Sequence, residues 1–269
     1  MKQLGYPREY NETSPSIGQL FDLSNRVALI TGGASGLGRA IGLGFARYGA
    51  AVAVVDRDAA RAAEVAGEIR AIGADARALS ADVTDWEQVR DMTNQVMRAF
   101  GQIDICVNSA GGNIRKTALE MSPEEWRFVI DLNLSGTWYT AQAVGATMVA
   151  RRRGKMINLA SIYGHVGNSE IGAYAASKGG VVQITRVLAL EWAPHNVQVN
   201  CLAPTYVRTP LTQPLQESAQ RMQELDERSP IHRFGEAWEL IGPAVFLASD
   251  ASGLVTGHSL RVDGGWTAQ

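Results

Sequence analysis

Short, almost continuously apolar runs rich in β-branched residues recur at residues 26–31, 51–56, 103–108, 155–160 and 198–203, and longer stretches of helical periodicity separate them. This alternation predicts βαβ units. Because the runs do not alternate apolar with polar, each strand is expected to be covered on both faces, as in a parallel sheet between two helical layers. The fold class is α/β with a doubly wound sheet. Thr84 followed by Glu87, and Ser122 with Pro123 and Glu125, match capping boxes, which predicts helices beginning near Asp85 and Pro123. Residues 132–150 are apolar nearly all round, so one face should pack on the sheet and the other on a neighbouring subunit; complete burial within the monomer is the alternative. Residues 211–233 are charged and free of glycine, and are expected to form a mobile helical lid within a region spanning about residues 205–235.

Residues 1–21 are polar and broken by Pro7 and Pro15, and read as an extension that is either poorly ordered or strapped over a neighbour. They contain neither the apolar core of a signal peptide nor a membrane span, so a cytoplasmic protein without membrane association is expected. With 269 residues, 46% of them hydrophobic, the chain can bury a full core, and residues 22–269 read as one domain. A net charge of -2 gives no concentrated basic face for nucleic acid. Cys106 and Cys201 lie inside apolar runs and read as small buried hydrophobes. No metal site is expected, because His165, His195, His232 and His258 lack ligand spacing.

The run from Thr31 to Gly38 follows the first strand and opens a helix, with Gly32, Ser35, Gly36, Leu37 and Gly38 placed where phosphates can meet free backbone N–H groups. Asp56 closes the second strand about twenty residues on, where a carboxylate accepts hydrogen bonds from ribose hydroxyls. That favours NAD over NADP, since a 2′-phosphate beside the carboxylate is repelled. Arg57 follows and can tolerate a phosphate, whereas Ser35 supplies no cation. Tyr174 and Lys178, four apart at the start of a helical stretch, share one face. An ammonium fixed there stabilises a phenolate, which makes tyrosine usable in proton transfer.

The glycine run, Asn108-Ser109-Ala110-Gly111, Asn133, Ser161, Tyr174 to Lys178 and the terminal Val262-Asp263-Gly264-Gly265 stand in the order of the short-chain dehydrogenase/reductase family, which the chain resembles over about residues 22–265. The resemblance implies a Rossmann-type, single-domain sheet of about seven strands and a homotetramer. It makes Tyr174 the general acid/base and has Ser161 orient and polarise the reacting oxygen. Lys178 would bind the nicotinamide ribose while lowering the tyrosine pKa, and Asn133 would support a water-linked proton relay. Asp82 and Val83 would hold the adenine, Asn108 the central strand and Thr209 the carboxamide, with Ala110, Gly111, Pro204 and Val207 also facing the cofactor. Two departures are visible: Ser109 replaces a common asparagine, and Thr205 replaces a common glycine, which questions the loop conformation there.

Loops at the strand ends offer Asn113, Arg115, Tyr163, His165, Tyr206 and Arg208 to a small-molecule substrate, a polar set suited to a polyhydroxylated or anionic compound. Within the family, 112–115, 160–164 and 231–246 resemble sugar, sugar-acid and polyol dehydrogenases, including gluconate 5-dehydrogenases. A 3-oxoacyl thioester or general ketone reductase is the alternative activity. A dinucleotide-sensing protein without catalysis is the alternative of another class, and it has no need of Asn133, Ser161, Tyr174 and Lys178 together.

Overall fold

The computed structural model describes residues 14–268. Of the stretch read as an extension, residues 1–13 lie outside the described residues. Ile17–Phe21 (α1) forms a helical turn closed by a Ser16/Gln19 capping box, and Phe21 packs on Phe246 with ring centres 6.5 Å apart.

Val27–Thr31 (β1) leads into Gly36–Arg47 (α2), then Ala51–Asp56 (β2), Ala59–Ala71 (α3), Ala76–Ser80 (β3) and Trp86–Phe100 (α4). The second half runs Ile105–Asn108 (β4), Pro123–Ile130 (α5), a π turn at Asp131–Ser135, Gly136–Arg151 (α6), Gly154–Leu159 (β5), Gly172–Trp192 (α7) and Val197–Pro204 (β6). Val207–Arg208 (β7), Gln213–Gln216 (α8), Ala219–Arg228 (α9), Gly235–Glu236 (β8), Ile241–Ala248 (α10) and Ser259–Val262 (β9) follow. Seven parallel strands are ordered β3-β2-β1-β4-β5-β6-β9. Strand order reverses between β1 and β4, and a crevice opens there at the carboxyl ends of the strands.

Side chains alternate across the sheet into two cores. Ala28, Ile30, Val52 and Val107 pack with Ile41, Phe45 and Ile69 of α2 and α3. Leu29, Ala53, Cys106 and Met156 pack with Met92, Val144 and Leu188 of α4, α6 and α7. The Ser122 box starts α5 as expected, with Pro123 at the first position. The other start moves by one residue: Asp85 caps α4 and takes the N–H groups of Glu87 and Gln88, while Thr84 turns back to Asp82.

The apolar helix is split. Residues 131–135 are π turn, and α6 proper buries Thr140, Ala141, Val144 and Met148 while exposing Trp138, Gln142, Ala146 and Ala150. Complete burial within the monomer is thereby excluded. The segment expected as a lid is helical, as α8 and α9, and an ion pair from Arg221 to Glu170 ties α9 to the loop before α7. Among the described residues, no helix is long and apolar enough to cross a membrane, and no cluster of His, Cys, Asp and Glu could hold a metal.

Candidate active site

The crevice at the switch point is a cleft of about 770 Å³ that reaches from Asp56 and Arg57 to Ser161, Tyr174 and Lys178. Its near wall is the β1–α2 turn. Gly32 sits at φ 63°, and a Cβ there would lie 2.7 Å from the Ala110 nitrogen; one on Gly38 would lie 2.2 Å from the Gly32 oxygen. Ser35 occupies the N-cap of α2 without a side-chain hydrogen bond, so the first-turn N–H donors are left for an anion. Asp56 is fixed in place: its Oδ2 accepts from the Ala34 N–H (3.2 Å) and its Oδ1 from the Asp58 N–H (3.1 Å). Side-chain-free backbone, open helix donors and a carboxylate at the end of β2 fit a dinucleotide.

At the far end, Tyr174 is partly buried and hydrogen-bonded to Ser161. Burial raises its pKa, while the Ser161 hydrogen bond and the Arg115 charge pull it down. Lys178 stands one helical turn further along α7. The lysine Nζ donates to the Leu159 carbonyl (2.6 Å) and stands 5.6 Å from the centre of the Tyr174 ring. Burial brings the Lys178 pKa down to about 8. Asn133 lies in the π turn, a feature common at functional sites. Its Oδ1 accepts from the Gly112 N–H (2.8 Å), and its Nδ2 donates to the Gly112 carbonyl and the Ser177 hydroxyl. A Cβ on Gly111 would lie 3.0 Å from that Oδ1 and 3.7 Å from the Lys178 Nζ, so glycine lets the two groups approach.

Comparison with known proteins agrees with this geometry. The family model described as enoyl-(acyl carrier protein) reductase matches residues 32–267. The chain belongs to the short-chain dehydrogenase/reductase family. As a family member it is an oxidoreductase that interconverts secondary alcohols and ketones. It is 38% identical to a 2-dehydro-3-deoxy-D-gluconate 5-dehydrogenase of Escherichia coli, over 93% of this chain and 98% of that one. It is 40% identical to a D-threitol dehydrogenase of Mycolicibacterium smegmatis, over 92% and 95%. A gluconate 5-dehydrogenase from Burkholderia cenocepacia, solved with NADP and tartrate, superimposes with a TM-score of 0.92 at 38% identity, covering 94% of this chain and 100% of that one.

Within this family framework the structure sorts the sequence candidates. Gly32, Ser35, Gly36, Leu37, Asp82, Val83, Ala110, Gly111, Pro204, Val207 and Thr209 all line the cleft. Gly38 and Asn108 stand behind it: Asn108 donates to Asn158, which donates to Thr185 of α7. Thr205 keeps a negative φ, since the positive-φ residues other than glycine among those described are Asn25, Arg152, Glu170, Asn196 and His232. The doubt about that loop is thereby removed.

None of the six substrate candidates lines the dinucleotide cleft. Arg115, Tyr163 and Tyr206 meet each other beneath the lid. His165 instead bonds the Ser259 hydroxyl (2.8 Å), and Arg208 pairs with Glu236 (3.1 Å). Arg61, Phe128, Asp131 and Tyr139 line the cleft without having been singled out. α3, α5, the π turn and α6 carry them there, and no motif marks them.

Gly38→Ala puts a methyl group against a backbone oxygen that cannot turn away. It should cost about 1–3 kcal/mol of stability and weaken NADH binding. Denaturant midpoints and fluorescence titration check both, and wild-type affinity in the variant would refute the packing argument.

Proposed function

We propose that this enzyme uses NAD to oxidise a secondary hydroxyl of a sugar acid or related polyol. The observation that carries the reading is Arg115. This guanidinium approaches Tyr174 closely enough to lower its pKa, and its Nη1 is buried with no hydrogen-bond partner among the described residues. A buried, unpaired donor on a charged group is costly unless a ligand completes it. A carboxylate is the matching acceptor. The names of the E. coli, Mycolicibacterium and Burkholderia relatives support the same substrate class.

In this mechanism Tyr174 takes the proton of the reacting hydroxyl, while Ser161 donates to the oxygen and holds it in line. A bound nicotinamide dinucleotide supplies the acceptor for the hydride that leaves the carbinol carbon. Lys178 holds a ribose hydroxyl, and Asn133 keeps the Gly112 loop and α7 in register beside it. Asp56 carries the NAD preference. Its carboxylate disfavours a 2′-phosphate, although the Burkholderia structure is described with NADP. We propose a homotetramer, supported by exposed Trp138 on α6 and Val187 and Leu190 on α7. The alternative of a 3-oxoacyl thioester reductase draws on the name of a 3-oxoacyl-(acyl-carrier-protein) reductase of Thermotoga maritima, to which the chain is 37% identical.

Steady-state NADH formation across aldonates, deoxyaldonates, polyols and simple secondary alcohols tests the reading. Turnover of a polyhydroxylated acid, highest in kcat/KM, is expected. Silence on that panel, with reduction of 3-oxoacyl thioesters instead, would overturn it.

A further inference from the structure

Beneath the lid, hydrogen bonds run unbroken from Glu224 of α9 through Asn168, Tyr163 and Tyr206 to Arg115. Their direction can be deduced. The Ser169 N–H donates to the Asn168 Oδ1 (2.8 Å), which fixes the amide with its Nδ2 facing both the Glu224 carboxylate (2.5 Å) and the Tyr163 hydroxyl (3.0 Å). The Tyr163 oxygen therefore accepts from Asn168, which leaves its own hydrogen free for the Tyr206 oxygen, 2.7 Å away, with Tyr163 taken as the donor of that pair. Arg115 Nη2 also points at the Tyr206 oxygen (3.5 Å). In that polarity the Tyr206 O–H points away from the pair. Among the described residues Tyr206 makes no other side-chain hydrogen bond. Beside it lies the Arg115 Nη1, which has no hydrogen-bond partner among the described residues.

We propose that Asn168 and Glu224 are positioning residues that set the polarity of this chain, so that Tyr206 and Arg115 together present hydrogen-bond donors to the carboxylate of a hydroxy-acid substrate. The proposal rests on the sugar-acid reading above. Glu224 also ties the device to the lid: Arg221, buried on α9, bridges Glu224 (3.0 Å) and Glu170 of the loop before α7. Seating α9 thus orients a hydroxyl two tyrosines away. An alditol, ending in a hydroxyl that can itself donate or accept, is far less sensitive to that polarity than an aldonate.

The test exchanges the two polar groups. In N168D/E224Q the number of charges is kept, but position 168 now accepts from Tyr163. Tyr163 then accepts from Tyr206, which turns the Tyr206 lone pairs toward the substrate. We expect the aldonate-to-alditol ratio of kcat/KM, measured at equal chain length, to fall about tenfold, as for loss of one hydrogen bond to a charged group. The loss should appear in KM rather than kcat. Tyr206→Phe should lower the ratio similarly, and N168D/E224Q in that background should add nothing. A uniform loss on both substrates, or losses that multiply, would overturn the relay. A wild-type enzyme with no preference for the aldonate would instead overturn the sugar-acid reading, and with it the use assigned to the Tyr206 donor.

Discussion

Tyr174→Phe should lower turnover by on the order of 10³-fold, within the range for loss of a positioned general acid/base, while NADH affinity stays close to wild type. The ring that forms part of the cleft wall is retained, and only the hydroxyl that meets Ser161 is removed. The pH profile carries a second signature. Oxidation requires the deprotonated tyrosine and reduction the protonated one, so kcat/KM should rise with pH for oxidation and fall for reduction. Burial raises the Tyr174 pKa, which places both limbs toward alkaline pH. Arg115 pulls in the opposite direction, so Arg115→Met should move the oxidation limb to still higher pH. Rate profiles for wild type and both variants check this, and an Arg115→Met profile that moves to lower pH would refute the charge argument. Substantial turnover by the phenylalanine variant would shift the acid/base role elsewhere.

Much of the architecture was legible because burial on both faces leaves a plain mark. β1 is buried at all five positions and reads as an apolar run up to Thr31, and β5 is buried at all six although Lys155 and Asn158 interrupt its apolar residues. The edge strand β3 has a single buried residue, Ala76, and its Arg77 and Ser80 hide the strand from a hydropathy reading. The site divides in the same way. Gly32, Asp56 and Tyr174 are visible in sequence because chemistry fixes their residue types at fixed spacing from a strand or a helix start. The Glu224–Asn168 contact spans 56 positions and joins two segments without a motif, so only the folded chain brings them together. Lys178 is an intermediate case. Its place beside Tyr174 follows from helix spacing, but the Leu159 carbonyl that takes its hydrogen bond comes from the sheet.

Asp56→Ser should move the NAD-to-NADP ratio of kcat/KM toward NADP by on the order of 10²-fold. A unit charge about 4 Å from the carboxylate is repelled by about 4 kcal/mol at an effective dielectric near 20. The half-exposed cleft mouth screens part of that. Arg57 and Arg61 line the same mouth, and loss of the carboxylate leaves Arg57, with Arg61 shared with Asp58 (3.4 Å), to face a 2′-phosphate. Serine retains one acceptor for the Ala34 or Asp58 N–H, so the β1–α2 turn should hold its shape and the change should appear in cofactor KM rather than in stability. Initial rates with both dinucleotides at saturating substrate measure it. If the wild type already favours NADP, the arginines outweigh the carboxylate. Arg57→Ala and Arg61→Ala, rather than Asp56→Ser, would then change the preference, and it would move toward NAD.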